Sequence, residues 1–150
     1  MTENSSRCTE SALLTNGDVF VTGGFNDTGY LDSSEIFRPR SGLWRLVHPD
    51  PVPRWASVVV TLNDGNVLVI DGYHGKYLKT SEIYSPLKNT WTRVASDPIP
   101  REKAITVLLS DGTVLVEGGL NPGGFTSVGE IYNPRTDKWT NLPTPNLPIP

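Results

Sequence analysis

The sequence predicts an all-β protein built from three similar units of four antiparallel strands each. One observation is compositional. The 150 residues include 14 glycines and 13 prolines, and the apolar residues fall in many short runs without a long helical period. The other is an internal repeat, marked most plainly by Trp44, Trp91 and Trp139. Both indicate short strands joined by tight turns.

The repeat is 47 or 48 residues long and rests on five independent landmarks, of which the tryptophans are one. The other four are a proline (Pro39, Pro86, Pro134), a glutamate (Glu35, Glu82, Glu130), a turn glycine (Gly17, Gly65, Gly112) and a later glycine (Gly24, Gly72, Gly119). Agreement at five positions establishes a true repeat. The predicted units are residues 7–54, 55–101 and 102–142, with an N-terminal extension at 1–6 and a proline-rich tail at 143–150.

The first two strands of each unit form a predicted hairpin. The first strands are expected at 11–14, 58–62 and 105–109, and each is followed by Asn-Gly or Asp-Gly. These dipeptides supply the two positive φ angles of a type I′ turn. The second strands, at 19–21, 67–69 and 114–116, end at Gly23-Gly24, Asp71-Gly72 and Gly118-Gly119.

The third strands are expected at 34–37, 81–84 and 129–132, and a turn with proline leads to fourth strands that start near the tryptophans. A proline-rich connector, at 51–54 or 98–101, then leads to the next unit. Four antiparallel strands in up-and-down order describe one blade of a β-propeller. We expect each tryptophan to pack between neighbouring blades.

This pattern resembles the kelch repeat, particularly that of the galactose-oxidase-like group. The resemblance is carried by the di-glycine after the second strand, the Glu-Ile-Tyr/Phe-x-Pro of the third strand and the tryptophan that follows. It covers about residues 7–142 and implies kelch-type propeller blades, three of them in this chain. Asp71 departs from the motif at a glycine position, so a different local backbone is expected there.

Composition and motifs argue against several classes of function. A net charge of -3 argues against a nucleic-acid partner and against binding to an anionic membrane. No stretch approaches the roughly 18–20 apolar residues of a membrane span, and no secretory signal is visible, so a cytoplasmic location is expected. Cys8 is the only cysteine, and His48 and His74 occupy different repeat positions. We therefore expect no metal site, no cofactor, no catalytic residues and no enzymatic activity.

The repeated charges allow two interpretations. The period of the glutamates Glu35, Glu82 and Glu130 indicates a structural role, for example in ion pairs with the arginines at 7, 54 and 101, which share that period. The resemblance implies another role for these arginines, because peptide-binding kelch domains often hold acidic partner residues with an arginine of this kind. Both interpretations of the arginines remain open.

The loops after the second and fourth strands are expected on one face, and this face is the predicted binding surface. Trp55 breaks the repeat, since Cys8 and Glu102 stand at the equivalent positions. The predicted ligand-binding residues are Arg7, Arg54, Trp55, Tyr73, His74 and Arg101. Other residues of these loops are Asn26, Asp27, Tyr30, Lys76, Tyr77, Asn121 and Phe125. Arginine, tryptophan and tyrosine are typical of interface hot spots, so a non-catalytic module that binds a protein or peptide is expected. Replacing Arg54 is expected to weaken binding and leave the fold intact.

Three blades do not close a propeller, and alternatives remain for the two apolar blade faces left without partners. Two copies could associate head to tail into a six-blade ring. Alternatively, the sequence is a piece of a longer kelch protein. That protein could be a galactose-oxidase-like or carbohydrate-active enzyme whose catalytic residues lie elsewhere, and a non-functional remnant is a third alternative.

Overall fold

A computed structural model describes residues 9–143, and within this range the chain consists of strands, turns and loops without a helix. The all-β prediction is confirmed. Among these residues there is consequently no helix long and apolar enough to cross a membrane. Arg7, a predicted ligand-binding residue, and Cys8, which stands at the repeat position of Trp55, lie outside the described range.

Twelve strands form three antiparallel sheets, and in each sheet the strands pair in chain order, as in a propeller blade. Blade 1 contains β1 (Glu10–Leu13), β2 (Val19–Thr22), β5 (Ser34–Arg38) and β6 (Leu43–Val47). Blade 2 contains β7 (Val58–Thr61), β8 (Val67–Ile70), β9 (Ser81–Ser85) and β10 (Thr90–Val94). Blade 3 contains β11 (Ile105–Leu108), β12 (Val114–Glu117), β15 (Gly129–Asn133) and β16 (Lys138–Asn141).

The loop between the second and third strands of each blade has some β-structure of its own. In blade 1 it forms a ribbon of β3 (Phe25–Asn26) and β4 (Gly29–Tyr30), and in blade 3 a ribbon of β13 (Leu120–Asn121) and β14 (Gly124–Phe125). In blade 2 a single bridge joins Tyr73 and Tyr77. These loops are therefore folded back on themselves.

Asp71 adopts the backbone conformation that glycine has in the other two blades. Its φ is 60°, against 67° for Gly23 and 71° for Gly118. The expected local difference is therefore wrong. Aspartate is one of the few non-glycine residues that enter the left-handed region with modest strain. The substitution changes the chemistry of the site, because it adds a buried carboxyl group.

Apolar clusters join each blade to the next. Between blades 1 and 2, Phe20 stacks on Tyr84 with ring centroids 4.7 Å apart, and Trp91 packs against both rings. Between blades 2 and 3, Tyr132 and Trp139 take the equivalent places. The predicted packing of tryptophan between blades is confirmed for these two residues.

Trp44 does not pack between blades and is 41% exposed. Within the described residues, the face of blade 1 that carries it has no neighbouring blade. Its main aromatic contact is Phe37 of its own blade, with ring centroids 4.9 Å apart. The expectation of inter-blade packing is therefore wrong for Trp44 in the single chain, because the surface that should cover it comes from no described residue.

Candidate functional site

The connectors and the loops after the second strands lie at the same end of the blades, as the sequence predicted. Trp55 in the first connector forms an antiparallel bridge with Tyr73, and Glu102 in the second connector forms one with Leu120. The backbone amide and carbonyl of Trp55 both bond to Tyr73, at 3.2 and 2.9 Å. We call this end of the molecule the loop face.

Arg54 lies beneath the loop face and is completely buried. Its guanidinium donates to both carboxylate oxygens of Asp50, with Nε–Oδ2 and Nη2–Oδ1 distances of 3.0 and 3.1 Å. It also forms an ion pair with Glu82 and donates to the carbonyl oxygens of Asp71 and Thr80. One side chain thus joins the connector to the second and third strands of blade 2.

Arg101 repeats this arrangement in blade 3, again with no exposed surface. It forms ion pairs with Asp97 and Glu130 and donates to the carbonyl oxygens of Gly118 and Val128. Arg101 equally connects elements that are distant in the sequence. The predicted pairing of the repeated glutamates with the repeated arginines holds for both described pairs.

The ligand-binding prediction for Arg54 and Arg101 is wrong. Neither side chain reaches the surface, and both guanidinium groups are occupied by carboxylates and carbonyl oxygens of the scaffold. Burying a guanidinium is tolerated only with such pairing, so releasing either arginine to a ligand would leave buried carboxylates without a partner. For these two residues the scaffold interpretation is the one that applies.

The two arginine clusters differ in charge. In the first, the carboxylates Asp50 and Glu82 are balanced by Arg54 and by Arg93, whose Nη2 lies 3.0 Å from Glu82 Oε1. In blade 3, Asn141 occupies the register position of Arg93. The second cluster also contains the additional carboxyl group of Asp71, 3.7 Å from Arg101 Nε. It therefore holds more acidic than basic groups.

The buried, acidic surroundings of the second cluster affect the pKa of the Asp71 carboxyl group. Burial raises the pKa of Asp71 well above its usual value, and the neighbouring Asp97 raises it further, while Arg101 and Arg54 oppose the shift. Neither carboxyl oxygen of Asp71 receives a hydrogen bond from a described residue. A neutral carboxyl group suits such a site better than a carboxylate. The site therefore favours the protonated form of Asp71 more strongly than water does.

Above this scaffold, six aromatic side chains form a continuous cluster that we call the aromatic patch. Its members come from the loop ribbon of blade 1, the first connector and the loop of blade 2: Phe25, Tyr30, Trp55, Tyr73, His74 and Tyr77. The patch brings together three of the predicted ligand-binding residues, Trp55, Tyr73 and His74.

Ring-to-ring contacts run through the whole patch. Tyr30 lies at its centre, with centroid distances of 5.2 Å to Phe25, 6.1 Å to Tyr73 and 4.6 Å to His74. Phe25 lies 6.1 Å from Trp55. Such distances are typical of favourable aromatic pairs. Because Phe25 and Tyr30 belong to blade 1 and Tyr73 and His74 to blade 2, the patch forms only when both blades are folded together.

The patch is accessible from solvent. Phe25 is 39% exposed, His74 is exposed, and Tyr30, Trp55 and Tyr73 are half-buried. His74 is oriented by its Nδ1 atom, which lies 2.9 Å from the carbonyl oxygen of Pro53. Half-exposed rings held in place by one another form a preorganised apolar surface, which reduces the entropy lost on binding.

Two lysines border the patch. The ammonium group of Lys103 lies over the ring of Trp55, 5.4 Å from its centroid, which is within cation–π distance. Lys76 is exposed in the loop that carries Tyr73 and His74. The indole Nε1 of Trp55 is buried and finds no acceptor among the described residues. The accessible positive charges at the loop face thus include these two lysines, whereas Arg54 and Arg101 are inaccessible.

Sequence reasoning missed Phe25 and Lys103. Phe25 directly follows Gly24, and the ribbon that turns it toward Trp55 has only two residues per strand. Lys103 follows the second connector and has a φ of 56°, as Ala56 has 55° at the equivalent position. Phe125, which is expected in the equivalent loop of blade 3, is 82% exposed. The repeat position separates the two residues, because Phe25 corresponds to Leu120 and Phe125 corresponds to Tyr30.

Two clefts lie away from the aromatic patch. A cavity of about 380 Å³ lies at the turn end of blades 1 and 2, where Asn16, Asp64 and Leu87 contribute to its lining. Another, of about 480 Å³, lies beside Trp91 and His48. Neither includes a member of the aromatic patch. Among residues 9–143 no three His, Cys, Asp or Glu side chains are grouped in a way that could hold a metal ion.

Comparison with known protein families identifies the repeat. One model of the kelch motif matches residues 7–49 and 104–146, and a second matches residues 54–98. Together the matches cover most of the chain and fall once in each unit. A search of curated proteins finds no match to this chain.

Proposed function

Because the chain belongs to the kelch-repeat family, we propose that it is a non-catalytic interaction module that binds a protein or peptide segment on the aromatic patch. Kelch repeats support a protein-interaction role in general. The observation that carries the specific proposal is the convergence of six aromatic side chains from two blades on the accessible loop face.

The chemistry of the patch favours an extended segment with apolar and acidic side chains. Tryptophan and tyrosine are the residues most often found at interface hot spots, because they bury a large area at small entropic cost. Lys76 lies where it could pair with a carboxylate of the segment. Lys103, whose ammonium group already lies 3.9 Å from Glu102 Oε1, could share its charge with such a carboxylate. Both lysines are exposed, so we expect them to favour acidic segments and to contribute modestly to affinity.

The buried arginines support binding indirectly. Arg54 anchors the connector that carries Trp55, and it also holds the carbonyl oxygen of Asp71, two residues before Tyr73. Fixing both ends of the Trp55–Tyr73 bridge keeps the rings in place before the ligand arrives. In this proposal Arg54 and Arg101 are positioning residues that never contact the ligand.

The proposal is tested by selecting ligands without assuming their identity. A phage-displayed library of random peptides is panned against the wild-type chain, and the enriched peptides are synthesised and titrated by calorimetry. We expect His74→Ala and Trp55→Ala each to weaken binding by at least about tenfold, because hot-spot truncations typically cost more than 1–2 kcal/mol. Circular dichroism checks that both variants are folded.

The matched control is Phe125→Ala. Phe125 is a more exposed aromatic of the equivalent loop in blade 3, and it lies outside the patch. This variant should bind the selected peptides as the wild type does. The proposal is contradicted if the peptides bind folded His74→Ala and Trp55→Ala with wild-type affinity, or if only Phe125→Ala reduces binding.

We also propose that the chain associates with itself. Support comes from large apolar side chains that are exposed on the outer sheet faces of blades 1 and 3, among them Leu46 at 71% and Ile105 at 62%. Contiguous apolar surface of this kind commonly marks an interface. This second proposal does not depend on the aromatic patch.

A further inference from the structure

The two open sheet faces have the same composition as the faces that meet inside the molecule. On blade 1, the open face carries Leu13, Trp44 and Leu46, which are 68%, 41% and 71% exposed. On blade 3, the open face carries Ile105 and Val107, which are 62% and 47% exposed.

By repeat position, Trp44 is equivalent to Trp91, which packs on blade 1. Val107 is equivalent to Val60, which packs at the interface with blade 3. The open faces are thus the two unpaired halves of the interface that the chain forms twice.

The two internal interfaces share a set of hydrogen bonds that we call the interblade lock. Between blades 1 and 2, the Asn89 side-chain oxygen accepts from the backbone N–H of His48 and from the Tyr84 hydroxyl, at 2.9 Å each. The indole of Trp91 donates to the carbonyl oxygen of His48 at 2.8 Å. Both backbone groups of His48 are therefore satisfied by the following blade.

The lock recurs between blades 2 and 3 with different side chains. Asp137 takes the place of Asn89 and accepts from the N–H of Ala95 at 2.8 Å and from the Tyr132 hydroxyl at 2.9 Å. Trp139 donates to the carbonyl oxygen of Ala95 at 2.9 Å. Asn89 and Asp137 both have a φ of 53°, so the backbone of the lock is also the same.

Both open faces depart from the lock, and the departures match. On blade 1, Gly42 replaces the Asn or Asp acceptor with the same left-handed backbone, at a φ of 70°, and Phe37 replaces the tyrosine. This face has therefore lost the acceptor. On blade 3, Pro143 stands at the position of His48 and Ala95. Proline has no N–H, so this face has lost the donor that the acceptor would serve.

From this match we infer that the occupant of the open face of blade 3 is the open face of blade 1 in a second copy of the chain, so that two copies join head to tail. The inference rests on the proposed self-association and assigns its geometry. The two losses compensate each other. Pro143 has no N–H that would need an acceptor, and Gly42 has no side-chain acceptor that would need a donor. The remaining bond of the lock, from the Trp44 indole to the carbonyl oxygen of Pro143, is retained.

A blade with the ordinary lock would fit less well. Set against Pro143, its Asn or Asp would lose the backbone donor that this side chain has at both internal interfaces. Conversely, an ordinary residue at the position of Pro143 would bring an N–H to Gly42, where no side chain accepts it. Each open face is thus matched to the other rather than to a standard kelch blade. Two heterologous contacts of this kind close two chains into a ring of six blades.

The first test is the mass in solution, by light scattering coupled to size exclusion. We expect twice the chain mass of 16.4 kDa for the wild type, and a monomer for both Leu46→Glu and Ile105→Glu, which place a charge on one open face each. The control Leu87→Glu alters a side chain that is 94% exposed in a turn of blade 2, and it should remain dimeric.

Mixing the two monomeric variants tests the direction of the contact. A Leu46→Glu copy keeps an intact blade 3 face, and an Ile105→Glu copy keeps an intact blade 1 face. The mixture should therefore form heterodimers through one unaltered contact. A symmetric contact between like faces predicts a different result, because each variant would then dimerise through its intact face without mixing.

The lock itself is tested by Pro143→Ala, which restores an N–H opposite Gly42. An unpaired buried amide should weaken the dimer by about tenfold or more. Adding Gly42→Asn to this variant should recover the loss, since asparagine has the required backbone at Asn89 and a Cβ at Gly42 meets no atom within 4 Å. Gly42→Asn alone should weaken the dimer, because its acceptor faces a proline.

The outcomes separate the two claims. A wild-type chain that stays monomeric up to hundreds of micromolar, or that forms open polymers or aggregates, overturns the ring. A wild-type dimer that survives both Leu46→Glu and Ile105→Glu leaves self-association standing and overturns the head-to-tail assignment. Equal dimer affinities for Pro143→Ala with and without Gly42→Asn overturn the role of the lock.

Discussion

At the scale of single residues, Arg54 shows how a repeated charge becomes part of the scaffold. We expect Arg54→Ala to lower the free energy of unfolding by about 3–5 kcal/mol, because it leaves the buried carboxylates of Asp50 and Glu82 without their partner. Chemical denaturation measures the change. This expectation replaces the one from sequence, in which the fold survives and only binding is lost.

Arg93→Ala is the matched control for this prediction. Arg93 contacts the same Glu82 carboxylate, but its side chain is 60% exposed, so water can take its place and the loss should be much smaller. Similar small losses for both variants would contradict the structural role of the buried guanidinium.

Asp71 gives the chain a predictable dependence on pH. Its pKa is raised in the folded state, chiefly by burial, so the folded chain holds a proton that the unfolded chain releases above its ordinary pKa of 3.8. This contribution to stability is therefore largest at low pH. It declines by about 1.4 kcal/mol per pH unit as pH rises from the unfolded toward the folded pKa.

The variant Asp71→Asn removes this proton and keeps a residue that tolerates a positive φ. Its free energy of unfolding, relative to wild type, should rise as pH increases above the ordinary aspartate pKa of 3.8. Parallel curves for wild type and Asp71→Asn would show that Asp71 does not retain its proton on folding.

At the scale of elements, the tryptophans at one repeat position, Trp44 in blade 1 and Trp91 in blade 2, occupy different environments. Trp91→Ala should lower the free energy of unfolding by about 3–5 kcal/mol, because it leaves a cavity against Phe20 and Tyr84 and removes the bond to His48. Trp44→Ala should cost far less in the monomeric Leu46→Glu background, where no blade covers Trp44. Equal losses would contradict the assignment of the open face.

The blades could be predicted from the sequence because their determinants are local and repeated. Asn-Gly and Asp-Gly turns, alternating valines and the tryptophan period each act within one unit, and the hairpins form where these signals predict them. The predicted type I′ geometry is wrong, because only the glycine of each dipeptide has a positive φ and each loop is one residue longer, with a turn closed in blade 1 by a hydrogen bond from the Gly17 N–H to the carbonyl oxygen of Leu14. Whether the repeated arginines form buried ion pairs or contact a ligand could not be predicted in this way. Periodicity was compatible with a buried ion pair and with a ligand contact, and only the packing of the connector against the next blade decides between them.

At the scale of the whole molecule, the aromatic patch is a product of two blades. Tyr30 from blade 1 meets Tyr73 and His74 from blade 2, so these contacts depend on how neighbouring blades are placed. The sequence predicted that these loops share one face, and it predicted three of the six side chains as ligand-binding residues. Phe25 was missed because its contact with Trp55 crosses from one unit to the next.

Amide hydrogen exchange with and without a selected peptide shows whether the ligand binds on the loop face through the aromatic patch. If it does, protection is added in residues 24–31, 55–56 and 72–78, the segments that carry the patch. Protection confined to residues 14–18, 62–66 and 86–89, at the turn end where the cavity beside Leu87 lies, would contradict binding on the patch.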